Sequence, residues 1–167
     1  MTARLMIHFQ NVGKVYAKEL LQKRQPALRD LSFNLAERQT LGLIGANGAG
    51  KSTSIRLIMD FIRPSSGTVQ VFGRPASDLH QRARIGYLPE VAAFPQSLTV
   101  LDLVRFTTTT CGMPARAGKE RAELLLNELG LWQARKKRLS TYSKGMQQRA
   151  NFVLALLNNP DLLILDE

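Results

Sequence analysis

The stretch Gly45-Ala46-Asn47-Gly48-Ala49-Gly50-Lys51-Ser52 (GANGAGKS) decides how the rest of the chain reads. It satisfies G-x-x-x-x-G-K-[ST] at every fixed position. Its flanks agree: Thr40 to Ile44 before it reads as a buried strand, and Ile55, Ile58, Met59 and Ile62 after it recur at helical spacing. A polyphosphate is held well at a helix N-terminus, where several unpaired backbone N–H groups and the helix dipole point outward. Glycines let the loop take positive φ and bring its backbone close to phosphate oxygens. In this pattern Lys51 neutralises the β- and γ-phosphates and the Ser52 hydroxyl ligands Mg²⁺. The expected ligand is a nucleotide with its metal.

Outward from the loop, Leu5 to Phe9 and Leu31 to Leu35 alternate as strands do, and Thr68 to Phe72 and Ile85 to Leu88 are shorter strand candidates. Thr99 followed three residues on by Asp102 opens one helix as a loose capping box. A second helix runs from about Arg116 to Leu129 and stops at Gly130. A third begins at Ser143, with Met146, Ala150, Val153, Leu154 and Leu157 on one face and Asn159-Pro160 at its end. The last strand, Leu162 to Leu165, is apolar throughout and is expected to be covered on both faces. Strands alternating with helices predict an α/β protein on a mostly parallel sheet.

At 167 residues the chain has room for one domain or part of a larger one. The longest apolar runs, Phe152 to Leu157 and Leu162 to Leu165, are far too short to span a bilayer. The N-terminal residues lack the apolar stretch and cleavage site of a signal peptide. A lone cysteine, Cys111, excludes an internal disulfide and a cysteine metal cluster, and a reducing cytoplasmic home is expected. The 23 Lys and Arg against 13 Asp and Glu leave a net charge of +10, which invites an anionic partner. The densest run, Arg135 to Arg138, has no interleaved aromatic residue and fits a solvated loop better than a nucleic-acid site. His8 and His80 match no motif and read as structural.

Tyr142-Ser143-Lys144-Gly145-Met146-Gln147-Gln148-Arg149 places a Ser and a Gly in the first turn of a helix, a second anion-binding end far from the first. Taken alone it is a Ser-capped helix. One nucleotide rarely needs two helix N-termini from the same subunit, so beside the phosphate loop the second end points to a neighbour's nucleotide.

With both motifs in place, the sequence resembles the nucleotide-binding domain of ATP-binding cassette (ABC) transporters along essentially its whole length. SKGMQQR is similar to that family's LSGGQ-type signature, with Lys144 replacing a Gly and Met146 in its looser position. Leu162 to Asp166 matches the Walker B strand, with Glu167 as the catalytic carboxylate after it. Tyr16 lies where the family stacks an aromatic on adenine, and Glu90, after Gly86-Tyr87-Leu88-Pro89, stands where many members carry the Gln of the Q-loop. The plainer alternatives are an exposed loop tyrosine for Tyr16 and a surface acid for Glu90.

The resemblance implies a P-loop NTPase (RecA-like) α/β fold with an N-terminal antiparallel β part and an inserted helical subdomain. It assigns residues 1–90 and 143–167 to the nucleotide-binding core and 91–142 to the helical part. It implies nucleotide contacts from Tyr16, Gly45, Ala46, Asn47, Gly48, Ala49, Gly50, Lys51, Ser52, Thr53, Ser143 and Gly145. Metal contacts would come from Ser52, Glu90 and Asp166, and Glu167 would polarise the attacking water. The implied cofactors are ATP and Mg²⁺.

The function so implied is an ATP-hydrolysing motor of a membrane transporter, of exporter type, on the cytoplasmic face of the membrane. It would pair head to tail with a second nucleotide-binding domain and act on a transmembrane permease. The rival reading is a soluble ABC ATPase acting on nucleic acid or the ribosome, which the charge invites. The span from Lys51 to Ser143 leaves no room for long coiled-coil or zinc-bearing insertions, and nucleic acid is not expected as a partner. The family pattern continues past Glu167 with a D-loop, further strands and a switch histidine. The chain is therefore expected to be an incomplete ATPase domain that binds ATP weakly and does not hydrolyse it by itself.

Overall fold

In the computed structural model the described residues are 4–16, 25–91 and 94–166. They divide into two compact units, Met1–Arg82 and Ala83–Glu167.

The first unit is built on an antiparallel sheet. Strands β1 (Leu5–Tyr16) and β2 (Gln25–Ala36) pair along their length, and β3 (Ser66–Val71) and the short β4 (Arg74–Pro75) extend the sheet to the order β2-β1-β3-β4. Phe9 lies opposite Phe33, with the rings stacked 4.5 Å apart, and Ile7, Phe9, Val12 and Val71 are buried. His8 bonds the Asn34 side chain across the same pair, the structural role expected of it. Helix α1 (Lys51–Ile58) packs on β2 and β3 through Ile55, Leu57 and Ile58. It ends a turn short of the expected Ile62. Asp60 takes a left-handed φ of 52°, which turns the Phe61 N–H back onto Arg56 O at 2.9 Å and closes the helix. A single turn, α2 (Leu79–Arg82), completes the unit.

One expected strand is not formed. Residues 40–45 have no ladder partner, and Leu41 is 43% and Ile44 97% exposed. A strand apolar on both faces is buried only between two neighbours. Among the described residues the ladders are β1 to β4 and β5 with β6, and this segment joins neither.

In the second unit β5 (Ile85–Leu88) and β6 (Leu162–Leu165) pair in parallel, Ile85 opposite Leu162 and Leu88 opposite Leu165. Helices α3 (Val100–Thr110), α4 (Ala115–Glu128) and α5 (Lys144–Leu156) lie between them in sequence. Their core is Val100, Leu103, Leu125, Leu126, Leu131, Leu139, Val153 and Leu157, all from the periodic positions of those helices and their connections. The capping box is real. Thr99 Oγ1 accepts from the Asp102 N–H at 3.2 Å, and the Thr99 N–H donates to Asp102 Oδ2 at 2.9 Å. The hydrogen bonds from Thr99, aided by Arg105, hold the Asp102 carboxyl below its ordinary range. The expected double-sided burial of β6 is not found: Leu162 and Ile164 are buried, while Leu163 is 37% and Leu165 49% exposed. The α/β class stands, with the antiparallel part at the N-terminus. Among the described residues its parallel part is the β5/β6 pair.

Gly86 sets how closely β5 lies on α5. A Cβ added there would meet Ala155 O at 2.2 Å and Pro160 Cγ at 2.9 Å, and the first is backbone that cannot swing aside. Gly86→Ala is expected to lower unfolding stability by about 1–3 kcal/mol, the range for forced overpacking. Urea denaturation checks this, and a loss under about 0.5 kcal/mol would show that α5 yields easily.

Candidate functional site

The expected site residues fall in both units. Tyr16, the phosphate loop and Thr53 belong to the first; Glu90, Ser143, Gly145 and Asp166 belong to the second. Glu167 lies outside the described residues.

The loop behaves as its glycines require. Gly48 and Gly50 take φ of 86° and 93°, and Gly50 is the N-cap of α1 with no side chain bonded to the cap. The first-turn N–H groups of the helix therefore have no side-chain acceptor at its mouth. A Cβ at Gly50 would strike Leu28 Cδ2 at 2.4 Å and Ala27 O at 2.8 Å, so the loop sits directly on β2. At Gly45 a Cβ would come within 2.9 Å of the Ala49 Cβ across the loop. Ala46 to Ala49 are exposed. Lys51 Nζ donates to Gly45 O at 2.6 Å and Ala46 O at 3.0 Å, which holds the ammonium over the loop. Behind it Ser54 is buried and donates through Oγ to Gly50 O at 3.0 Å, which anchors the turn. Ser52 is exposed in the first turn. Backbone donors, one ammonium and one hydroxyl form a donor set that fits a polyphosphate and its divalent ion.

Tyr16 closes β1 and is half-buried. Its hydroxyl lies 3.5 Å from Thr53 Oγ1, so the ring and the first turn of α1 meet. Lys14 Nζ sits 5.3 Å from the ring centroid and donates to Arg63 O at 2.8 Å. That cation was not singled out from the sequence, although residues two apart on a strand share a face.

In the second unit the parallel register sets the C-terminal ends of β5 and β6 side by side, and each is followed by an acidic residue. Glu90 follows β5 and Asp166 follows β6, both just beyond the C-terminal ends of adjacent strands. The Asp166 N–H donates to Leu88 O at 2.9 Å, which prolongs the ladder by one residue. Tyr87 donates through its hydroxyl to Asp166 Oδ2 at 3.2 Å, a contact that sequence reasoning missed. In open α/β sheets this end of the strands is where ligands bind. Among the described residues no three His, Cys, Asp or Glu side chains are grouped to hold a metal unaided. Mg²⁺ is commonly held by one or two carboxylates together with phosphate oxygens, so the carboxylate Asp166 and hydroxyl Ser52 are suitable donors in kind.

At the start of α5, Ser143 is the N-cap and its Oγ accepts from the Met146 N–H at 3.3 Å. Gln147 ties the turn to what precedes it by donating to Leu139 O at 3.3 Å. Tyr142 is buried and donates to Ala134 O at 3.0 Å, and burial pushes its phenol upward. Ser143, Lys144 and Gly145 are exposed. A Cβ at Gly145 would meet nothing within 4 Å, so nothing described in this chain requires a glycine there.

Comparison with known proteins identifies the family and the fold. A family model described as ABC transporter matches residues 28–167. An uncharacterised ABC transporter ATP-binding protein of Bacillus subtilis, YxlF, is 36% identical over 162 residues, covering 97% of this chain and 52% of its own length. The linearmycin resistance ATP-binding protein LnrL of the same organism is 34% identical over 164 residues, covering 97% of this chain and 51% of its own. Among solved structures, the dimeric structure of MJ0796, a bacterial ABC transporter cassette, superposes with a TM-score of 0.85 at 26% identity, covering 97% of this chain and 74% of that one. The chain thus spans about half the length of the curated relatives it matches. Among the described residues no helix is long and apolar enough to cross a membrane.

Proposed function

The chain belongs to the ABC transporter family, and from that premise we propose that it binds Mg·ATP as part of the motor of a membrane transporter. The carrying observation is the phosphate loop: two left-handed glycines, an uncapped helix start and the Lys51 ammonium over the Gly45 and Ala46 carbonyls. Gly45 to Gly50 would supply backbone donors to the phosphates, Lys51 the mobile charge, and Ser52 and Asp166 oxygen donors toward the metal. Thr53 would brace Tyr16, whose ring would stack on adenine. Glu90 would join them from the end of β5. Bound Mg²⁺ would neutralise charge on the transferring phosphate. Glu167 would accept the proton of the attacking water.

Ser143 and Gly145 would complete the nucleotide site of a second, head-to-tail domain. Gly145 supports this, because its missing Cβ answers to no described neighbour in this chain and would matter for a close approach from outside. The domain division proposed is a core of 1–90 and 143–167 with the helical part 91–142 set toward a permease, which places the protein at the cytoplasmic face of the membrane. Export is the favoured direction, in keeping with GYLPE and SKGMQQR and with a relative named for linearmycin resistance. By itself the 167-residue chain would bind ATP weakly and not turn it over. Among the described residues, 40–45, which lead into the loop, have no ladder partner, so no strand pairing anchors the chain where it enters the cradle.

Isolation of the protein from detergent-solubilised membranes tests the transport reading. A polytopic membrane protein is expected to copurify with it. Copurification with ribosomes or nucleic acid instead would favour the soluble ATPase reading, which the +10 charge supports.

The adenine contact has its own test. Tyr16→Ala is expected to weaken ATP and GTP binding together by about 1–3 kcal/mol, the range for base–aromatic stacking. Tyr16→Trp should be tolerated. Titration with a fluorescent ATP analogue reads both, and full affinity in the Ala variant would return Tyr16 to a structural tyrosine held by Thr53 and Lys14.

A further inference from the structure

The contact between Tyr87 and Asp166 joins two elements far apart in sequence, and the nucleotide-site reading makes no use of it. Resting on that reading, we propose that Tyr87 is a positioning residue: its hydroxyl fixes the Asp166 carboxylate in the orientation that serves the metal of Mg·ATP.

The parallel register makes the contact possible. Tyr87 lies opposite Ile164, two positions before Asp166. Residues two apart on a strand share a face, so Tyr87 and Asp166 are diagonal neighbours across the pair, a separation that an aromatic side chain spans and a short one does not. The phenol spans that gap and donates to Oδ2 at 3.2 Å. The same strand holds the Asp166 backbone, through its N–H on Leu88 O at 2.9 Å. Backbone and side chain of the acid are thus both tied to β5, and its carboxylate does not swing freely at the strand end. A neutral phenol leaves the full negative charge on Asp166, whereas an Arg or Lys in its place would cancel the charge the metal needs. Both residues are half-buried, so the bond is partly shielded from water.

Partners that orient a metal-binding group are commonly worth 10- to 100-fold in metal affinity. One bond to a half-exposed carboxylate should fall at the low end, about tenfold.

The experiment measures the Kd of a fluorescent ATP analogue with Mg²⁺ and in EDTA, on the full-length protein carrying this chain. The ratio of the two values is the contribution of the metal. Tyr87→Phe keeps the ring and removes only the hydroxyl. It is expected to shrink the ratio about tenfold and to leave the EDTA value within about twofold. Adding Tyr87→Phe to Asp166→Asn should change nothing further, because the group being positioned is gone. A purely packing role would move both Kd values together, or neither. An unchanged ratio in Tyr87→Phe, where Asp166→Asn collapses it, overturns the proposal and leaves the nucleotide site standing. If Mg²⁺ has no effect on the unsubstituted protein, the nucleotide-site reading itself falls. A probe that leaves Tyr87 intact guards against a poorly folded variant. Its ¹³Cζ resonance is expected to shift on Asp166→Asn, and an unmoved resonance also overturns the proposal.

Discussion

Lys51→Ala is expected to weaken ATP binding about 10- to 150-fold, the equivalent of losing one charge-assisted hydrogen bond at roughly 1.5–3 kcal/mol. The ammonium lies at hydrogen-bond distance from Gly45 O and Ala46 O, so it already stands over the loop. Binding a phosphate there needs no long search through lysine rotamers, only an exchange of carbonyl acceptors for phosphate oxygens. That pre-organisation argues for the upper part of the range, because little side-chain entropy is left to lose. Alanine removes the charge and the brace together while leaving Gly48 and Gly50 free to keep their backbone geometry. Titration with a fluorescent ATP analogue measures the effect, and circular dichroism verifies that α1 persists. Unchanged affinity in a folded Lys51→Ala protein would remove the phosphate loop as the binding site.

What could be read from the sequence follows the distance over which each feature is encoded. The loop, the Thr99 capping box and the Ser143 cap are written within a few consecutive residues, and their geometry is the expected one. The end of α1 was misjudged because apolar spacing continues to Ile62 while the chain turns at Asp60, and nothing in the periodicity signals a left-handed aspartate. Thr40 to Ile44 and Leu162 to Leu165 carry the composition of strands buried on both sides. Composition tells that such a segment can be covered, not which strand covers it, and here the first is unpaired and the second covered on one face. The Tyr87–Asp166 bond depends on the register of two strands separated by three helices. No local pattern encodes that register. The alternation along Ile85 to Leu88 would have placed Tyr87 on a face, but only the pairing shows what that face meets.

The largest effect is expected at the last residue of the chain. Glu167→Gln, in the full-length protein carrying this chain, should lower the rate of ATP hydrolysis by about 10²–10⁴-fold, the usual contribution of a positioned general base. Glutamine keeps the size and the hydrogen-bonding reach of glutamate and gives up only the basic oxygen. Binding should therefore survive: ATP affinity is expected to stay within a few-fold of the unsubstituted protein, in contrast with Lys51→Ala. The preceding residue gives this expectation its physical footing. Asp166 is held to β5 by its own N–H and by the Tyr87 hydroxyl, so the residue before the proposed base is fixed at the C-terminal end of two parallel strands. If Ser143 and Gly145 close over a second domain's nucleotide, blocking hydrolysis should also trap the closed pair. Light scattering of Glu167→Gln with Mg·ATP is then expected to report a dimer that the Lys51→Ala protein does not form. Turnover within about threefold of the unsubstituted protein would assign the base to another group. A slow enzyme that stays monomeric with ATP would keep the base and reject the head-to-tail sandwich. The two measurements together separate the chemistry of Glu167 from the assembly it is proposed to serve.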